Sequence, residues 1–420
     1  MADFLNIPTE NTQKDIVKAI NRIADIQEGV EKPKRYGIKI NKNDSNPDTR
    51  IEYILDATGF VPAKMNYETG KFDYGSWADM WFIRDNYPCM VKYDGKEDYR
   101  LDPDDYSKKL DGEPSDIADI LYAGNAMSAI PLVWVKQYEL GGYEYIILCE
   151  KQYDETYKAY AHSRADGSIM DRIYLSMFRG ADDGTQLRSL SGLQPMHSET
   201  ANAEITKAEA NGELWTTRTW AHRNIINSLL TVISKHDNSQ TAFGNGNLNY
   251  QADLEPTKGV MQTGFLNTEG QFKGYNDSIH QVKVFHIEAW WADQYDRIQG
   301  LLNVNGDIRV KMTPPYNLVG TDFISTGLTP AGKNGYLTES EMSKYGRLPV
   351  VADAGSSNTY QCDYFYFNNT ITSVALVGGV CSASSSCGLS FVVLSVSAAG
   401  AGWDVGAALS CEQPFVAKQP

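Results

Sequence analysis

The chain has 420 residues, of which 42% are hydrophobic and 22% charged, a balance that places it among folded globular proteins and allows two or three domains. Its net charge of −15 argues against nucleic-acid binding, which needs clustered Lys and Arg, and no apolar run of 18 residues is present to span a membrane. The opening MADFLNIPTENTQKD lacks a basic segment followed by an apolar core, so no signal peptide is expected; the six cysteines form no CxxC pair and have no His nearby, so they read as buried free thiols.

Residues 13–28, QKDIVKAINRIADIQE, set Ile16, Ile20 and Ile23 on one helical face. So short a helix needs a partner, either copies of itself in an oligomer or the rest of its own domain. YGIKI and RIEYIL flank the turn-rich NKNDSNPD and predict a hairpin. The aromatic stretch 77–93 predicts a small core. The polar GKEDYRLDPDDYSKKLDGEPSD predicts a surface loop or a domain boundary, and its DPDD lacks the spaced ligands and Gly of a calcium loop.

From about 119 the pattern changes. IPLVWVKQYELGGYEYIILCE predicts a second hairpin turning at Gly141-Gly142, and QYDETYKAYAHS a short helix. SLSGLQP reads as a turn. Residues 199–210 predict a helix that stops at Asn211-Gly212. Trp220, Ile225, Leu229, Val232 and Ile233 define a stronger amphipathic helix, ending in the loop FGNGN. HQVKVFHIEAWWADQYDRIQGLL reads as a strand and a Trp-rich turn. NGDIRVKM and the Gly-rich 316–336 suggest short strands and irregular loops. QCDYFYF, TSVALVGG, LSFVVLSV and DVGAALS are the closing strands. Strands, two helices and a long β region give an α+β order rather than an alternating β/α enzyme.

Catalytic motifs are missing: there is no GxSxG, HExxH or GxxxxGK[ST], and FGNGN does not lead into a helix as a dinucleotide loop must. His162, His197, His222, His236, His280 and His286 are scattered, and His222 falls on a core-like helix, where a structural role is expected. Trp290 and Trp291 read as core rather than as a ligand cage. Asp182 and Asp183 fall in an expected loop with nothing to perturb them. No cofactor and no metal is expected.

The end of the chain differs from the rest. Only five Asp, Glu, Lys or Arg residues occur from 351 to 420, and 380–402 contains no Lys, Glu, Gln, Met, Trp or Arg. Leu389, Phe391 and Leu394 are the framework expected to pack. Among them stand Val380, Ser382, Ala383, Ser384, Ser386, Val393, Ser395, Val396, Gly400 and Gly402, small residues that are cheap to exchange where packing does not need them.

This closing pattern, GG-x-C…G-L-S-F…L…W-D-V-G-A-A-L-S, resembles the variable C-terminus of proteins diversified by retroelements. In those elements a reverse transcriptase misreads template adenines, so that Asn codons become any codon ending in C or T. Such codons encode the small residues seen here but never Lys, Glu, Gln, Met or Trp, which assigns Trp403 to the fixed frame. SLSGLQP, ANGELWTTRTWAHRNIINSLL, FGNGN and VKVFHIEAWWADQYDRIQG resemble the C-type-lectin-like fold of formylglycine-generating-enzyme type that these variable proteins use.

The resemblance covers roughly 120–415 and implies a receptor-binding tail-tip or fibre protein of a gut bacteriophage, located in the virion and made in the host cytoplasm. Its expected partners are a bacterial surface receptor, protein or glycan, other tail proteins, and two further copies of itself in a trimer. The ten small residues would bind ligand. The implied domains are an N-terminal helix over 1–30, an attachment domain over 31–118 and a ligand-binding domain over 119–415, variable over about 380–404. A purely structural baseplate or head-fibre role is the alternative. The enzymes of this fold use a C-terminal cysteine pair; Cys381 and Cys387 lack their Arg-rich surroundings, and no enzymatic activity is expected.

Overall fold

Alternating apolar and polar residues dominate this chain, and strands result from them: the fold is 35% strand and 10% helix, with one sheet curled into a half-barrel. The computed structural model describes residues 32–330 and 334–415, together with Lys18. Apart from Lys18, the helix expected over 13–28 lies outside the described residues. The chain divides into two units, Met1–Lys34 and Arg35–Pro420.

Both predicted hairpins form, and they join. Arg35–Asn41 pairs with Ile51–Leu55 on one edge and with Tyr143–Cys149 on the other, which in turn pairs with Trp134–Leu140. This antiparallel sheet therefore links residues about a hundred positions apart.

A seven-stranded sheet runs in the order Trp215–Thr217, Leu409–Glu412, Arg172–Ser176, Gly124–Pro131, Tyr87–Lys92, Glu97–Asp102, Asp105–Lys109. Its last two strands lie in the polar stretch expected to be a loop. Leu101 and Tyr106 turn inward from them onto Met90, Ala126 and Phe178, while the charged residues take the solvent side. The Asp102 carboxylate accepts the N–H groups of Asp104 and Asp105 and so shapes the turn. No domain break falls at 118: Tyr87–Lys92 is paired along its whole length with Gly124–Pro131, and the strands of 35–118, apart from the small hairpin Lys64–Asn66 and Lys71–Asp73, share their sheets with strands beyond 118.

The largest sheet carries the end of the chain. Its order is Ile324–Ser325, Asp307–Val310, Tyr295–Val304, Thr372–Val377, Val392–Leu394, Tyr364–Phe367, Gly335–Ser343, Gly346–Asp353, with Val405–Gly406 parallel to Tyr295–Val304. The long hairpin of Gly335–Ser343 and Gly346–Asp353 has no counterpart among the predicted elements.

Helices fill the space beside the sheets. Thr200 caps Ala201–Glu209 by accepting the Ala203 N–H. Trp220–Ser234 starts with a reciprocal capping box between Thr219 and His222 and buries Ile225, Ile226, Leu229, Leu230, Val232 and Ile233. The aromatic stretch 77–93 builds no separate core: Trp77, Trp81 and Phe82 join this helix, Trp290 and Trp291 in one cluster. The helix expected in QYDETYKAYAHS is reduced to a single turn, Tyr160–His162. Packing explains the difference, because Tyr153 and Tyr157 pack against Ile147 and Cys149 of the first sheet and hold the backbone extended.

Candidate functional site

The strand Thr372–Val377 leads into Gly378-Gly379, whose φ values are +84° and +89°. Glycine is needed at both: a Cβ on Gly379 would overlap the Cys387 sulfur, and one on Gly378 would press on the Trp290 carbonyl. The chain then coils over the core from 380 to 391, enters the strand Val392–Leu394, and crosses the surface again from 395 to 404.

Framework side chains hold the main chain of these two loops from below. Asn227 donates to the Leu389 carbonyl at 2.7 Å, and Gln240 to that of Cys387 at 2.8 Å. The buried Asp363 accepts the Ser390 N–H at 2.7 Å; burial raises its pKa well above the usual carboxylate range, against the pull of that N–H. Arg297, itself paired with Glu204 at 3.1 Å, donates to the Gly400 carbonyl. Main-chain bonds complete the attachment: Cys381 N–H to Asp293 O at 3.0 Å, Ala201 N–H to Ala398 O at 2.9 Å, and Ser198 N–H to Gly402 O at 2.8 Å. None of these contacts uses a loop side chain, so the loop course is set independently of what most loop side chains are.

The ten predicted ligand positions divide. Ser382 and Ser384 are exposed, and Ala383, Ser395, Val396, Gly400 and Gly402 are half-buried at the surface. Val380, Ser386 and Val393 are buried, at 2%, 7% and 5% exposure, and cannot offer side chains to a ligand. Val380 packs with Val260 and Cys381. The Ser386 hydroxyl donates to the Ala383 carbonyl and closes its own turn. Val393 lies on a strand flanked by Thr372–Val377 and Tyr364–Phe367 and covered on both faces, which buries a position expected to face ligand. Leu389, Phe391 and Leu394 are core, as expected.

Trp403 is only half-buried. It leans on the Tyr250 ring at 5.5 Å and on the Val260–Val380–Cys381 cluster, an anchor at the rim of the face rather than beneath it. Two tyrosines enlarge the face: Tyr364 and Tyr366, with ring centres 5.0 Å apart, are half-buried beside Ala383 and Val396. The alternation in YFYF, with Phe365 and Phe367 buried, is the sequence signal for them. The anchoring residues Asn227, Gln240, Asp363 and Arg297 leave no such signal.

All six cysteines are buried and unbridged. Burial, with Asp293 adding to it, pushes the Cys381 thiol up to about 12, and burial raises Cys387 as well. Both are therefore thiols at neutral pH, and the thiolate is the reactive form. Asp183 is not unperturbed: burial works against its ionisation, but the N–H groups of Gln186 and Thr185 and the Arg188 guanidinium outweigh it and lower its pKa. Asp182 is bonded by Lys207. Neither a family model nor a curated protein matches this chain.

Proposed function

We propose that this chain is a receptor-binding protein of a bacteriophage tail tip or fibre, carrying a retroelement-diversified ligand face on a C-type-lectin-like scaffold of formylglycine-generating-enzyme type. One observation carries the reading. Over 378–404, framework side chains grip loop main chain, while Ser382, Ala383, Ser384, Ser395, Val396, Gly400 and Gly402 stay at the surface. A scaffold that holds backbone rather than side chains tolerates new side chains without losing its course. Val380, Ser386 and Val393, being buried, take no part in this face.

The face carries no Asp, Glu, Lys or Arg between 380 and 403. This variant would therefore bind through shape, main-chain groups and the neighbouring tyrosines, which give large contact area at low entropic cost. Weak single sites would be reinforced in a trimer by avidity.

The test is the DNA around the gene. A neighbouring reverse transcriptase is expected, with a near-identical repeat differing from codons 380–402 only at adenines and covering the seven surface positions. Differences at other bases would end the reading. An assembly protein would instead bury this face between subunits. Hydrogen exchange over 382–386 in the native oligomer is fast for a ligand face and slow for an assembly face.

A further inference from the structure

A cleft of about 780 Å³ opens where Trp220–Ser234 begins, and shares no lining residue with 380–402. Its volume falls within the range of small-molecule sites. Met170, Ile173 and Leu214 give it an apolar lining, and the rings of Tyr316 and Phe415 contribute to its wall.

Two hydrogen-bond donors in it are left over by the fold. The Nδ1 of His222 accepts the Thr219 N–H at 3.2 Å, which puts the ring proton on Nε2. Burial, reinforced by His162 and Arg218, lowers the His222 pKa to about 3, so this is a neutral ring. No protein partner among the described residues meets Nε2. Arg164 is 9% exposed; it donates to the Gln413 carbonyl, stands over the Phe415 ring at 4.4 Å and lies 3.7 Å from Glu412. Among the described residues its Nε has no hydrogen-bond partner, only the Glu412 carboxylate at ion-pair distance, and a buried donor left so is costly.

The charges decide what could satisfy these groups. Among the described residues, Glu412, Asp166, Glu209 and Glu213 line the cleft against one cation, Arg164. Four carboxylates repel a phosphate or carboxylate ligand. The guanidinium, fixed by Gln413 and Phe415, opposes an ammonium. A neutral polyhydroxylated ring fits both constraints: each hydroxyl can accept from His222 or Arg164 and donate to a carboxylate, and its C–H face can lie on Tyr316 and Phe415.

We propose that this cleft is a binding site for a neutral saccharide, recognised by His222, Arg164 and Glu412 around an aromatic wall. The proposal does not rest on the diversified face. It is tested by calorimetric titration of the full chain with maltotriose, mannotriose, xylotriose and triacetylchitotriose, with trilysine and inorganic phosphate as charged probes. At least one neutral trisaccharide is expected to bind. Phe415→Ala and His222→Phe should each weaken it by about tenfold or more, and Leu121→Ala, at an exposed position outside the cleft, should leave it unchanged. Phe415 is 69% exposed, so its replacement leaves the fold intact even if His222→Phe does not. The proposal is overturned if no neutral trisaccharide binds at about 10 mM, beyond the range of weak specific binding. It is equally overturned if only trilysine or phosphate binds, or if binding survives Phe415→Ala.

Discussion

Gly379 and Ser382 lie three residues apart and answer to opposite constraints. Gly379 combines a left-handed backbone with a Cβ position already filled by the Cys387 sulfur, so Gly379→Ala should cost roughly 2–4 kcal/mol in chemical denaturation. Ser382 is exposed with its loop held through main chain, and Ser382→Tyr should stay within about 0.5 kcal/mol. Ser384 stands at φ +48°, a conformation that Asn tolerates better than most residues. His162 makes a pH prediction. It is fully buried, its Nδ1 has no hydrogen-bond partner among the described residues, and burial lowers its pKa from 6.5 to about 4. Unfolded chains take up its proton first as pH falls, so its contribution is present above pH 6.5 and is lost as pH drops toward 4. The difference amounts to about 3 kcal/mol at most. His162→Phe should therefore show a shallower fall in unfolding free energy over that window than the parent; an equal fall would assign the acid sensitivity to other groups.

At the scale of elements, Trp220–Ser234 serves both as core and as bracket. Its apolar side fills the centre of the fold, while Asn227 accepts from the Trp290 indole at 2.9 Å and donates to the Leu389 carbonyl. Asn227→Ala should cost about 1–3 kcal/mol by leaving those groups unmatched, and should speed hydrogen exchange at 387–391 more than in the hairpin Glu97–Asp102 and Asp105–Lys109, which packs in a different cluster. Uniform acceleration would mean that the bracket is not local. The helix itself is legible in the sequence, because five apolar residues at helical spacing need no tertiary information. Its bracket is not, because a polar residue on such a helix shows neither its direction nor the carbonyl it will meet. The polar hairpin at 97–109 escapes sequence reading for a related reason: its charges mask the inward Leu101 and Tyr106.

At the scale of the whole molecule, residues 35–118 and the chain beyond 118 belong to one unit. The pairings Arg35–Asn41 with Tyr143–Cys149 and Tyr87–Lys92 with Gly124–Pro131 cross the expected boundary, and a fragment spanning 119–415 would expose both sheet edges and the part of the central core that Ile38, Trp77, Trp81 and Phe82 cover. Residues 119–415 expressed alone should be insoluble or lack a cooperative transition, whereas residues 35–420 should unfold in a single calorimetric step. An independently melting 119–415 fragment would restore the two-domain division.

Strand periodicity, the two short hairpins, the two helices and the framework of Leu389, Phe391 and Leu394 were determined by sequence, because each depends on neighbours within a few residues. Tertiary structure alone decided which small residues face outward. Val393 and Ser395 share a parity, yet one lies in a strand paired between Thr372–Val377 and Tyr364–Phe367 while the other is partly open to solvent. Burial is set by what packs around a residue, and those neighbours, Tyr295 among them, arrive from other parts of the chain.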